Sequence, residues 1–229
     1  MATTDLTQAD FERTVLGNDI VLVDFWADWC GPCRMFAPVY EAASEKHPDI
    51  VFAKIDTEAE GGLAAAANIS SIPTLMAFRE GVLVLSQPGA LPAKGLEEVI
   101  EAVRGLDMAS IKAEIAAHKE LMERPMEVDH DALAEALAVG ARLIDVREPG
   151  EYREGHVPGA ELVPLRTVPE KVGELPTDAP VYVICASGGR SMQATEFLRQ
   201  SGVEAYSVAG GTSGWQRAGR ETVTGPVRA

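Results

Sequence analysis

The chain has 229 residues, which suits two small domains better than one large one at about 100–200 residues per domain. Hydrophobic residues make up 46% and charged residues 24%, an ordinary globular balance that excludes wholesale disorder. The formal net charge is −15, so binding to nucleic acid or to an anionic membrane surface is not expected.

Helices and strands alternate in the first half of the chain. Residues 20–25 form a nearly continuous apolar run, as expected of a strand buried on both faces. A helix is predicted at 33–46, with Pro38 inside it. The other predicted elements of this half are a short helix after Thr7, strands at 50–55, 75–78 and 82–85, and helices at 63–68 and 96–103.

Residues 107–125 have a different pattern. Ile111, Ile115, His118 and Met122 recur at helical spacing with charged residues between them, and Pro125 ends the run. We expect a helical linker that packs this stripe on one or both domains. An extra helix belonging to either domain fits the pattern equally well.

The second half again alternates helices and strands. We predict helices at 129–139 and 191–201, and strands at 143–146, 181–184 and 205–208. This order is typical of an α/β domain with a mostly parallel sheet. We therefore predict two α/β domains, 1–106 and 126–229, joined by the helical linker 107–125.

Cysteine use and the lack of targeting signals indicate where the chain works. The first fifteen residues contain acids and one base, Arg13, and no apolar run approaches the ~20 residues of a membrane span. We expect a cytoplasmic protein whose thiols are kept reduced. Cys30, Cys33 and Cys185 then point to thiol chemistry, with metal binding the weaker alternative because the histidines lack zinc-ligand spacing.

The first two cysteines enclose the sequence Cys30-Gly31-Pro32-Cys33, directly after a predicted buried strand and at the start of a helix. Backbone N–H groups and the helix dipole favour a thiolate at this position, which lowers the pKa of Cys30. Two intervening residues let both sulfurs meet in one helical turn, and Pro32 stiffens that turn. The pair can therefore close and reopen a disulfide.

Residues 5–106 resemble thioredoxin. The segment 23–35 matches the family's active-site segment, and Ser71-Ile72-Pro73-Thr74 matches the loop whose proline is cis in that family. Lys54, Gly81 and Gly89 also fall where the family has them. The resemblance implies a thioredoxin fold, with a central mixed sheet flanked by helices. The competing interpretation is an accidental Cys-x-x-Cys pair or half of a zinc site.

The thioredoxin resemblance implies a role for each residue of this site. Cys30 would be the attacking thiolate and Cys33 the resolving thiol. Asp24 would be a buried carboxylate that exchanges a proton with Cys33, its pKa raised by desolvation, and Lys54 would tune it. A merely structural buried acid and an exposed strand lysine are the alternatives.

A docking surface is also implied. Trp29, Ile72 and Pro73 would frame an apolar surface for protein disulfide substrates, together with Trp26 unless that residue only packs in the core. A separate thioredoxin reductase would then restore the dithiol.

The third cysteine begins a second candidate site. Cys185 follows the predicted strand at 181–184, and a helix begins near Ser191. Successive N–H groups of the small residues between them can point to a common centre and form an anion cradle at a helix N-terminus. Arg190 closes the loop and adds donors for an oxyanion. The loop residues assigned to substrate binding are Ala186, Ser187, Gly188 and Gly189.

Residues 126–226 resemble the rhodanese family of sulfurtransferases. The matching segments are 144–148, 151–152, 155–160, 185–191, 210–211 and 214–215. The resemblance implies that Cys185 takes a sulfane sulfur, from thiosulfate or a small persulfide, and carries it as a persulfide. Related phosphatases have one more residue between the cysteine and the arginine, so phosphate esters are disfavoured. A regulatory or scaffold module is the alternative to an active enzyme.

Four further residues of this half are given supporting roles. Asp145 and Arg147 are expected to form ion pairs that shape the surroundings of the loop, with direct substrate contact by Arg147 the lesser alternative. His156 is interpreted as a residue that shapes a turn, and Trp215 as packing.

The fusion of the two halves suggests a combined function. Cys30 can attack the persulfide on Cys185, and Cys33 can then close the disulfide and expel sulfide. A disulfide reductase with a rhodanese docking module is one alternative, and two independent activities are another. No metal, nucleotide or flavin cofactor is expected in either half.

Overall fold

Two α/β units make up the computed structural model, which describes residues 3–225 and divides between Ile111 and Lys112. The division falls inside the helix Met108–Glu123. The domain boundaries at 106 and 126 stay predictions. Within the described residues, no helix is both long and apolar enough to cross a membrane.

The first unit is built on a mixed five-stranded sheet. Its strands are β1 (Thr4–Asp5), β2 (Ile20–Trp26), β3 (Val51–Asp56), β4 (Thr74–Arg79) and β5 (Val82–Pro88), in the order β1-β3-β2-β4-β5. The first three are parallel, whereas β4 and β5 are antiparallel to their neighbours. Its helices are α1 (Gln8–Gly17), α2 (Gly31–Lys46), α3 (Gly61–Ala66) and α4 (Ala93–Arg104). The predicted mixed sheet is confirmed.

Strand β2 is central because its side chains are apolar on both faces. Ile20 and Leu22 pack on one face with a cluster that includes Phe36 and Tyr40 of α2. Val21, Val23 and Phe25 pack on the other face in a second cluster. Side chains alternate across a strand, so two apolar faces require the continuous apolar run seen in the sequence. This buried strand leads directly to the turn before Cys30.

The second unit has an all-parallel sheet. Its strands are β6 (Glu127–Val128), β7 (Arg142–Asp145), β8 (Glu161–Leu162), β9 (Val181–Ile184) and β10 (Ala205–Val208), in the order β6-β10-β9-β7-β8. Helix α5 (Met108–Glu123) contains the division between the units. The α-helices that follow it in the second unit are α6 (His130–Ala138), α7 (Pro149–Glu154), α8 (Val168–Lys171), α9 (Gly189–Gln200) and α10 (Gly211–Arg217). The central strand β9 ends at Ile184, directly before Cys185, and α9 starts at Gly189.

Helix α5 corrects one prediction. Ile115, His118 and Met122 are exposed and Ile111 is half-buried, so the predicted packing of the stripe is wrong at three of its four positions. Met108 is the buried residue of the helix. The contacts at the C-terminal end of α5 are made by backbone carbonyl oxygens rather than by the apolar side chains. The buried guanidinium of Arg199 donates to the carbonyl oxygens of Leu121, Arg124 and Pro125 at 2.6–3.1 Å.

Candidate functional site

Two cysteines mark the start of α2. The sulfurs of Cys30 and Cys33 are joined in a disulfide, with 5.3 Å between the Cα atoms, and both residues are buried. The N–H of Cys33 donates to the Cys30 sulfur at 3.1 Å, so Cys30 caps the helix and α2 starts at Gly31, two residues before the predicted start. Pro32 lies in the first turn, where a missing N–H costs nothing.

A buried acid lies in the strand that precedes the disulfide. Asp24 is 1% exposed, and neither carboxylate oxygen has a hydrogen-bond partner among the residues that the structure describes. Desolvation raises the pKa of Asp24 to about 7, against the opposing charge of Lys54. Lys54 is the β3 neighbour of Asp24 in register, and its ammonium lies 4.4 Å from the ring centroid of Trp26. An acid that titrates near neutral pH can both accept and donate a proton there.

Exposed apolar side chains flank the two cysteines in sequence, whereas Pro73 of the predicted docking surface is buried. Trp29 is 66% exposed and Met35 is 68% exposed, and the indole N–H of Trp29 donates to Glu58 at 3.2 Å. The Ile72–Pro73 peptide is cis, and the Ile72 carbonyl oxygen lies 3.7 Å from the Cys30 sulfur. The first unit therefore offers an apolar surface around the disulfide. The sequence analysis did not assign a role to Met35.

The second site is a buried thiol inside a tight loop. Cys185 is 1% exposed, and its sulfur accepts the N–H of Gly188 at 3.2 Å and lies 3.5 Å from the Ser191 hydroxyl. Gly188 has φ +114°, a conformation that glycine adopts readily. Burial alone would raise the pKa of the Cys185 thiol. The Ser191 hydroxyl and loop N–H groups outweigh burial and lower it, which favours the thiolate.

Arg190 closes the loop but is already engaged. Its two terminal nitrogens donate to the carboxylate of Glu151 at 2.7 and 2.8 Å. These bonds hold the pKa of Glu151 down to about 2. Arg190 was predicted from sequence to donate hydrogen bonds to an oxyanion, and no role was predicted for Glu151. Oxyanion binding by Arg190 stays a prediction.

Comparisons with known proteins assign both halves. The thioredoxin family model matches residues 2–102, and the rhodanese-like domain model matches residues 129–218. Thioredoxin 2 of Streptomyces coelicolor is 55% identical over 115 residues, which cover 50% of this chain and 86% of that protein. The chain belongs to the thioredoxin family. Its second half is a rhodanese-like domain, as predicted.

Other thioredoxins match the same half. Thioredoxin of Porphyra purpurea is 45% identical over 102 residues, which cover 44% of this chain and 95% of the relative. A solved structure of Plasmodium falciparum thioredoxin is 36% identical, with a TM-score of 0.42, and the match covers 44% of this chain and 98% of that one.

In the rhodanese-like domain, the loop is supported by residues that the sequence analysis missed. The Ser191 hydroxyl lies 2.9 Å from both the Gly188 carbonyl oxygen and the Ser207 hydroxyl, and both serines are fully buried. The N–H groups of Thr212 and Ser213, at the start of α10, donate to the carbonyl oxygens of Cys185 and Ala186 at 2.8 and 3.0 Å. The sequence signal that could have indicated Ser207 is a serine inside a predicted strand that otherwise consists of Ala205, Tyr206 and Val208.

Gly211 allows this contact between α10 and the loop. Its φ is +56°, and a Cβ added there would lie 2.4 Å from the Cys185 carbonyl oxygen. Within the rhodanese-like domain, the backbone of α10 can approach the loop this closely only because position 211 lacks a side chain.

A buried ion pair lies beside the loop of the rhodanese-like domain. The Arg147 guanidinium donates to both carboxylate oxygens of Asp145 at 2.6–3.0 Å and to the Gly155 carbonyl oxygen at 2.8 Å. These contacts support a shaping role rather than substrate binding for Arg147. The His156 ring stacks on Tyr152 at 3.6 Å between centroids. The buried Trp215 donates its indole N–H to the Glu221 carbonyl oxygen.

Proposed function

We propose that the protein is a sulfurtransferase coupled to its own disulfide reductase. Cys185 takes sulfane sulfur from a donor, thiosulfate or a small persulfide, and the Cys30–Cys33 dithiol reduces it to sulfide. The observation that carries the proposal is the Cys185 sulfur, which accepts the Gly188 N–H and lies 3.5 Å from the Ser191 hydroxyl, in a chain that also contains a thioredoxin dithiol. Thiolate stabilisation is what a nucleophilic cysteine requires.

The first step loads Cys185. Its thiolate attacks the outer sulfur of the donor, and the donor S–S bond breaks. Sulfite leaves from thiosulfate, or a thiolate leaves from a persulfide, with the electron pair of that bond. Cys185 then carries one extra sulfur, and nothing has been oxidised overall.

The second step reduces the carried sulfur. The Cys30 thiolate attacks the outer sulfur of the Cys185 persulfide, and the Cys185 thiolate leaves. Cys33 then attacks the Cys30 sulfur and expels sulfide, so the dithiol supplies both electrons and ends as the disulfide. Asp24 is suited to accept the Cys33 proton, because burial raises the pKa of Asp24 to about 7.

The cycle also requires partners outside this chain, namely protein disulfide substrates and a reductase. The dithiol acts on protein disulfides through the apolar surface of Trp29, Ile72 and Pro73. A separate thioredoxin reductase restores it. A compartment that keeps thiols reduced, such as the cytoplasm, suits the free Cys185 thiol.

Single cysteine variants test the coupling. Reduced Cys30→Ser protein, freed of reductant and given thiosulfate or a small persulfide, is expected to accumulate persulfide on Cys185 and to release no sulfide. Cys185→Ser is the matched control and is expected to carry no persulfide while still reducing insulin disulfides. Sulfide release by Cys30→Ser equal to that of the parent would contradict the proposal.

Two observations favour a second function, a disulfide reductase whose rhodanese-like domain is a docking module. Cys185 is only 1% exposed, and Arg190 is already bound to Glu151. This alternative predicts normal reduction of insulin and no persulfide on Cys185 with either donor.

A further inference from the structure

The charges around the Cys185 loop are balanced in pairs. Arg190 is bound by the carboxylate of Glu151, and Arg147 by that of Asp145. A donor that enters the loop therefore meets N–H dipoles but little net positive charge.

The pair of Arg190 and Glu151 is held in place. Both terminal nitrogens of Arg190 are used, a two-point geometry stronger than a single contact. The same carboxylate accepts the N–H of Glu148 at 3.2 Å, which anchors it to the first turn of α7. The two side chains are 35% and 37% exposed, so water screens the pair less than it would screen one at the open surface.

This balance discriminates between sulfur donors by charge. Thiosulfate carries two negative charges, and attack on it by a thiolate brings three negative charges together. A persulfide, R–S–SH, carries at most one charge on its sulfurs and none when protonated. The net charge of −15 on the chain further lowers the local concentration of a dianion.

We infer that Glu151 is a specificity residue, which occupies Arg190 and thereby directs the rhodanese-like domain to persulfide donors and away from thiosulfate. The inference rests on the proposed function, because it takes Cys185 to be a sulfur acceptor. In the favoured reaction the Cys185 thiolate attacks the outer sulfur of R–S–SH. The donor S–S bond breaks, R–S⁻ leaves with its electron pair, and the proton stays on the transferred sulfur.

The test compares two donors on three proteins. The donors are thiosulfate and the persulfide of cysteamine, which lacks a carboxylate. The proteins are the parent, Glu151→Gln and Glu154→Gln, an exposed position of the same helix that serves as the charge-matched control. The Cys30–Cys33 disulfide is kept closed while Cys185 is free, as in the structure, so that the dithiol cannot remove the transferred sulfur. The rate of persulfide formation on Cys185 is followed by mass spectrometry, and thermal unfolding checks that the rhodanese-like domain of each variant is intact.

Glu151→Gln is expected to raise the ratio of the thiosulfate rate to the persulfide rate by about tenfold, since freed Arg190 then binds the dianion. Glu154→Gln is expected to change the ratio by less than about twofold, as is usual for an exposed charge. An unchanged or lower ratio in Glu151→Gln overturns the inference.

A second readout separates this inference from the proposed function. Sulfate is tested for protection of Cys185 against iodoacetamide, which requires no sulfur transfer. Stronger protection in Glu151→Gln than in the parent supports the role of Glu151, and equal protection overturns it. If neither donor loads Cys185 in any of the three proteins, the proposed function fails, whatever the sulfate result.

Discussion

Replacing Asp24 with Asn is expected to stabilise the thioredoxin domain at neutral and alkaline pH. The buried carboxyl has no hydrogen-bond partner among the described residues, and desolvation raises its pKa from 3.8 to about 7. The folded state therefore holds the proton more tightly than the unfolded state. The stability that this group contributes is present at low pH and is lost as pH rises through the interval between the two pKa values.

The size of the effect follows from the shift. A difference of about three pH units corresponds to about 4 kcal/mol in the free energy of unfolding. Asn resembles the protonated acid in shape and never ionises. Asp24→Asn should thus match the parent at about pH 4 and exceed its free energy of unfolding by about 4 kcal/mol at about pH 8.

Native-state hydrogen exchange of the amides in β2 and β4 measures this difference in the oxidised protein. Variant and parent are compared at each pH, so the intrinsic exchange rate cancels. Asp19→Asn is the control, because Asp19 is an exposed carboxylate just before the same strand. A stability difference that does not change with pH, or an Asn variant less stable than the parent at about pH 8, would refute the reasoning.

Three further substitutions test the rhodanese-like domain. Ser191→Ala should raise the pKa of Cys185, because it removes a hydroxyl that stabilises the thiolate, and the pH profile of alkylation by iodoacetamide reports the change. Gly211→Ala should cost about 2 kcal/mol or more in the stability of this domain, read from thermal unfolding, since the added Cβ meets the Cys185 carbonyl oxygen. Arg199→Met should cost about 3 kcal/mol or more and expose the amides at the end of α5 to hydrogen exchange, because the carbonyl oxygens of Leu121, Arg124, Pro125 and Ala205 lose their donor.

Each of these has an outcome that would count against it. An unshifted alkylation profile in Ser191→Ala would mean that the hydroxyl does not stabilise the thiolate. Thermal unfolding of the rhodanese-like domain that is unchanged in Gly211→Ala would mean that the loop accommodates the added Cβ, and insulin reduction by the thioredoxin domain serves as the control. Full protection of the α5 amides in Arg199→Met would show that other contacts hold the helix end.

The long elements could be predicted from sequence because their patterns are local. The apolar runs of β2 and β9 indicated buried central strands, and both strands are central. The short helices α7, α8 and α10 were missed, because four to seven residues are too few to display helical periodicity. The equally short α3 was predicted from its run of alanines instead. In α5, periodicity indicated the helix correctly but carried no information on what would cover its apolar side chains.

The candidate sites likewise contain local features, which sequence could predict, and contacts between distant residues, which it could not. The spacing of Cys30 and Cys33 and the small residues after Cys185 are local features, and local sequence is enough to find them. Glu151 lies 39 residues from Arg190, and Ser207 lies 16 residues from Ser191. Contacts at such separations are set by how strands and helices pack, so their roles emerged only from the structure.

The central claim is that the two sites act in series, and a single turnover without external reductant tests it most directly. The protein is fully reduced, freed of reductant and given cysteamine persulfide whose outer sulfur carries an isotopic label. Labelled sulfide and the mass of the chain are then followed together. Action in series predicts one equivalent of labelled sulfide and closure of the Cys30–Cys33 disulfide in the parent, and much slower release of labelled sulfide from Cys185→Ser, which lacks the sulfur acceptor. Labelled persulfide left on Cys185, with Cys30 and Cys33 still reduced, would contradict it.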